Sequence, residues 1–130
     1  MVWDDLKPRD ILTPGAFANA VRAVLAIGAS LNTAKHLQAV STEGECGVDV
    51  YGLFESLGPK TPVLAGVRPI GEHSIEAFEA AGGCRALMKQ LAPLLDTGAL
   101  TVTGVAVADN LRGAEVADAE VIRPLSLIHI

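Results

Sequence analysis

Apolar residues recur at helical spacing through most of the chain, and the first clear run begins behind a capping pair. Thr13 can accept a hydrogen bond from the start of a helix, and Pro14 suits a first turn, where its missing N–H costs nothing. Phe17, Val21, Val24, Leu25 and Gly28 then share one face. The opposite face carries Ala18, Asn19, Arg22, Ala23 and Ala26. Three of those five are alanine, so this face is expected to be covered as well, as in a helix buried on two sides.

Gly28-Ala29-Ser30 breaks that helix, and Ser30 or Asn32 caps a second one running to about Thr42. Leu37 and Val40 form its short apolar strip, while Asn32, Lys35 and His36 look the other way. Residues 43–47 read as a loop. Asp49 caps a short helix holding Leu53 and Phe54, and 62–67 reads as a buried strand ending in the Pro69-Ile70-Gly71 turn.

Ser74 caps a helix with Ile75 and Phe78 that stops at Gly82-Gly83. A further helix follows through Ala86, Leu87 and Leu91 towards Leu94, limited by Pro93. The alternation in 100–104 predicts a strand. Residues 105–111 either prolong it or turn helical, and Val121 and Ile122 suggest a last short strand. The expected class is α/β, helix-rich, without internal repeats.

Composition narrows the function classes. Half the 130 residues are apolar and 19% are charged, which marks a globular chain. The net charge of −5, with no basic run, argues against a nucleic-acid surface. No apolar stretch approaches the roughly 18 residues of a membrane span, and the N-terminus lacks signal-peptide character. A cytoplasmic setting is therefore expected, in which Cys46 and Cys84 are read as two free thiols rather than a disulfide.

The C-terminus needs its own explanation. Residues 125–130, Leu-Ser-Leu-Ile-His-Ile, can be encoded by CTG TCT CTT ATA CAC ATC, the end sequence of a transposase adapter used in making sequencing libraries. The expectation is that the reading frame runs into adapter, with residues 1–125 a partial α/β domain and 126–130 a non-native tail. His129 accordingly drops out of any functional argument.

No P-loop, GxGxxG or zinc signature is present. The chemistry-bearing feature is the helix break from Gly28 to His36. A helix start attracts anions, and Asn32 and His36 lie four residues apart on one face, with Lys35 beside them. A polyhydroxylated carboxylate would suit such a surface. From the residues alone, the simpler account makes Ser30 and Asn32 caps and His36 an ordinary surface residue. Asp10, Glu72 and His73 could form an acid–base set, but solvated loop positions explain them better.

Several short runs occur in a characteristic order: Pro8-Arg9-Asp10-Ile11-Leu12-Thr13, Ala16-Phe17-x-Asn19-Ala20, and Gly28-x-Ser30-x-Asn32-x-x-x-His36-Leu37. Pro62-Val63-Leu64, Pro69-x-Gly71, Ala81-Gly82-Gly83, Leu100-Thr-Val-Thr-Gly104 and Asn110-Leu111 continue it. Together, over about residues 7–125, they resemble the central part of the dihydroxy-acid and phosphogluconate dehydratase family, which includes the aldonic-acid dehydratases. The chain departs from the usual pattern at Ala29, where a second glycine is common, at Leu31, where threonine is common, and at Thr33, where alanine is common. The 78–83 stretch leans towards the sugar-acid branch.

The resemblance implies a piece of the N-terminal cluster-binding domain of a two-domain hydro-lyase that is inactive alone. The parent would convert a 2,3-dihydroxy acid, from branched-chain amino-acid biosynthesis or sugar-acid metabolism, to a 2-oxo acid. It further implies an iron–sulfur cluster as Lewis acid, a magnesium ion and a homo-oligomeric full-length protein. The cluster cysteines and most magnesium ligands would precede this segment, and the catalytic serine and a further metal-binding carboxylate would follow it. No catalytic or metal-ligating residue is therefore expected here, and Cys46 and Cys84 lie outside the cluster motifs. Ser30, Asn32 and His36 are the expected substrate-binding residues. The competing reading is a non-catalytic small module, or a degenerate paralogue kept for assembly.

Overall fold

The computed structural model describes residue 3 and residues 5–125. The expectation for 126–130 lies outside the described residues. Among the described residues seven α-helices follow in chain order: α1 (Pro8–Ile11), α2 (Pro14–Ile27), α3 (Asn32–Glu43), α4 (Val50–Leu57), α5 (Ile75–Ala80), α6 (Gly83–Leu91) and α7 (Val107–Asn110). Short 3-10 turns at Gly58–Lys60 and Ala92–Leu94 extend α4 and α6.

The caps lie largely where the sequence places them. Thr13 accepts from the Ala16 N–H at 3.2 Å, Asp49 from Gly52 at 3.2 Å and Ser74 from Ala77 at 3.1 Å. α1 is an additional helix, held at its start by the Lys7 N–H donating to the Asp10 carboxylate at 2.8 Å. Asp10 is thus a capping residue.

α2 is buried on two sides, as its alanine-rich second face implies. Phe17 and Val21 join Val50 in one cluster, backed by Leu25, Leu37, Leu53, Phe54 and Leu57. Ala26 belongs to a second cluster with Leu64, Phe78, Leu87, Leu91 and Ile122, against which Leu125 also packs. Small residues let backbones approach closely on that second side, where larger ones would overpack. A third, smaller cluster joins Ala99, Val107 and Leu111.

The three expected strands do not form, and among the described residues only isolated bridges occur, Val67 with His73 and Leu100 with Ala106. The 62–67 run is extended, and Leu64 and Ala65 are fully buried. Its backbone, however, meets a helix end on one side and a turn on the other. Leu64 and Ala65 N–H groups both donate to the Ala26 carbonyl, at 2.8 and 3.1 Å, and the Leu64 carbonyl accepts from Arg123 N–H at 2.9 Å. Single bonds to such neighbours make no ladder.

In 100–104, Gly104 adopts φ 83° and the Thr101 N–H bonds the Val105 carbonyl at 3.0 Å, so the chain reverses instead of running on. Residues 107–110 are helical, which resolves the choice left open for 105–111. Val121 and Ile122 are buried but sit in a turn, both N–H groups donating to the Asp118 carbonyl. The helix-rich part of the expected class is present, and a sheet among the described residues is not.

Two buried polar side chains tie the helices to their loops. Asn19 donates from Nδ2 to the Asp96 carbonyl at 2.9 Å, and its Oδ1 accepts from the Asp96 N–H at 2.8 Å. Ser41 does the same for Val48, its Oγ donating to the carbonyl at 2.8 Å and accepting from the N–H at 3.0 Å.

Each pair predicts a measurable loss. Asn19→Ala removes two hydrogen bonds and strands a backbone donor and acceptor, so unfolding free energy should fall by about 2–4 kcal/mol. Urea denaturation with an unchanged slope reads this, and a loss below about 0.5 kcal/mol would refute the clamp. Ser41→Ala should cost about 1–3 kcal/mol and speed hydrogen exchange at the Val48 amide. Unchanged exchange there would show that the loop is held by other contacts.

Candidate functional site

The helix break is built by two segments that lie far apart in sequence. Gly28, at φ 62°, ends α2 in the left-handed conformation, its N–H returning to Leu25 at 3.2 Å. The 62–67 run is pinned beneath by the Ala26 carbonyl and continues into a turn. Gly71 N–H donates to the Val67 carbonyl at 3.0 Å, Arg68 N–H to the His73 carbonyl at 2.8 Å and His73 N–H to the Gly66 carbonyl at 3.0 Å. A Cβ on Gly71 would collide with the backbone of Gly66, so the turn closes only with glycine there.

This turn lies over the break. A Cβ on Gly28 would stand 3.1 Å from Ile70 Cγ2. Between the two segments is a cleft of about 590 Å³, lined by residues 27–31 on one side and 67–70 on the other. Most of the lining is apolar, from Ile27, Leu31, Val67, Pro69 and Ile70. Ser30 and Arg68 supply the polar side chains. Arg68 is steadied by its Nε donating to the Glu72 carbonyl at 3.0 Å.

Of the three expected substrate-binding residues, the structure brings Ser30 into this cleft. Asn32 and His36 lie along the solvent-exposed side of α3 beyond its lining, and no hydrogen bond joins the three side chains among the described residues. Leu31, not Ser30 or Asn32, occupies the cap position, yet the Ser30 hydroxyl accepts from the Asn32 N–H at 3.2 Å. Thr33 and Ala34 N–H groups bond the Ser30 and Leu31 carbonyls, each at 3.0 Å. The first-turn donors are therefore already engaged, and anion attraction at the break falls to side chains. Asn32 carries no capping role, which removes the simplest structural account of its presence.

Sequence reasoning missed Arg68 and Ile70. The turn signal in Pro69-x-Gly71 was visible, but nothing local tied it to Gly28. A second cleft, about 610 Å³, also lay outside that reading. Its polar lining is internally paired: Asn110 Nδ2 donates to Thr101 Oγ1 at 2.7 Å, Thr103 Oγ1 donates to Asn110 Oδ1 at 3.0 Å, and Arg85 holds the Asn110 carbonyl at 2.9 Å. Those groups brace the 101–111 loop. Glu72 and His73 share a small cleft with Glu120 and Arg123, apart from Asp10.

Cys46 is half-buried against the cluster of Phe17 and Val50, and Cys84 is exposed; both are free thiols. Among the described residues no group of three His, Cys, Asp or Glu side chains is placed to hold a metal ion. The described residues do not fit an iron–sulfur or magnesium site. No helix among them is long and apolar enough to cross a membrane.

Known proteins similar to this chain agree on one family. The profile described as dihydroxy-acid/6-phosphogluconate dehydratase N-terminal matches residues 1–110. Proteins named dihydroxy-acid dehydratase are similar over almost the whole chain. The one from Syntrophobacter fumaroxidans is 42% identical across 97% of this chain and 23% of its own length. That from Nitratidesulfovibrio vulgaris is 45% identical across 96% and 23%, and that from Oleidesulfovibrio alaskensis 46% identical across 93% and 22%. The chain thus spans less than a quarter of these relatives, and it belongs to the dihydroxy-acid/6-phosphogluconate dehydratase N-terminal family.

Proposed function

We propose that this chain is the substrate-facing part of a hydro-lyase that converts a 2,3-dihydroxy carboxylic acid into a 2-oxo acid. In that reaction carbon 2 loses its proton, carbon 3 loses its hydroxyl, and the resulting enol tautomerises to the 2-oxo acid with net release of one water. The observation that carries the reading is the cleft joining Ser30 to Arg68 across an apolar floor, in a chain of this family. The names of the relatives favour a dihydroxy acid over an aldonic acid as substrate.

The chain's own residues bind and orient. Ser30 keeps its hydroxyl proton available while its oxygen accepts from Asn32 N–H, so it can donate to a substrate oxygen. Arg68 offers a guanidinium to a carboxylate. Asn32 and His36 extend the polar edge along α3 beyond the cleft lining and would meet the acid's remaining oxygens only in the full-length protein. A group to activate the leaving hydroxyl and a base for the carbon-2 proton would have to come from other parts of the longer protein, as would the ligands of any iron–sulfur cluster or magnesium ion. The 62–67 run would pair as a strand of an α/β domain in that larger setting.

Two measurements test this reading. The 130-residue chain alone should show no turnover of dihydroxy or aldonic acids, whereas the full-length protein should produce 2-oxo acid; lack of dehydration by the complete holoenzyme would refute the function. In that holoenzyme Asn32→Ala should lower kcat/KM about ten- to a hundredfold, the size of a lost hydrogen bond to a charged group. Its stability should stay within about 0.5 kcal/mol of the parent, as for an exposed site without structural contacts. Ser30→Ala should lower kcat/KM similarly and also cost about 1 kcal/mol, because it removes the bond to Asn32 N–H. Normal turnover in both variants would remove these residues from the site.

A further inference from the structure

We draw no further inference here: the strongest candidate, the cleft between α6 and the 101–111 loop lined by Arg85, Met88, Thr101, Thr103 and Asn110, has its polar side chains already bonded to one another or to the loop backbone, and nothing in the structure shows what covers its apolar lining.

Discussion

The fold depends on α2 being buried from two sides at once. Phe17 and Val21 need one apolar cluster and Ala26 another, and the helix serves as the partition between them. Large residues on both faces would hold the flanking helices too far away. Alanine on the second face allows α6 and the 62–67 run to come close, at the expense of burying little area per residue. Directional bonds supply what area does not. Asn19 sits on that thin face and binds both backbone groups of Asp96, so the loop after α6 is located by hydrogen bonds that tolerate little displacement. Ser41 and Val48 repeat the device between α3 and the loop before α4.

What was legible in the sequence follows from range. Thr13, Asp49 and Ser74 cap helices through bonds to residues three positions on, so neighbouring residues suffice to predict them. The two-sided burial of α2 was equally legible, because periodicity and side-chain size are written along one helix. Strands are different. Residues 62–67 are apolar and extended in both reading and structure, but whether such a run becomes a strand depends on what lies beside it. Here the neighbours are the Ala26 carbonyl and Arg123, which give isolated bonds. Residues 100–104 alternate as a strand should, yet Gly104 at positive φ and the Thr101 hydroxyl, bonded to the Val105 carbonyl at 2.7 Å, favour a local reversal.

The site divides along the same line. Ser30 could be found because a helix break with hydroxyl and amide side chains is a local pattern. Arg68 and Ile70 could not, since their proximity to Ser30 is produced by hydrogen bonds between Ala26 and residues 64–65. Asn32 shows the reverse error of local reasoning. Its position suggested a cap, but the chain enters α3 one residue earlier, through Leu31, and leaves the Asn32 side chain without that work.

Close approach, rather than side-chain chemistry alone, makes the cleft. Gly28 lets α2 end under Ile70, and Gly71 lets the turn fold back on Gly66. With larger residues at these points the two segments would separate and Ser30 and Arg68 would no longer share a cavity. The same geometry forces apolar side chains to the surface, because a turn pressed against a helix break has no interior in which to hide Ile70 or Leu31. Leu31 and Ile70 are accordingly among the most exposed large apolar side chains of the described residues, and Arg68 is the charged side chain beside them.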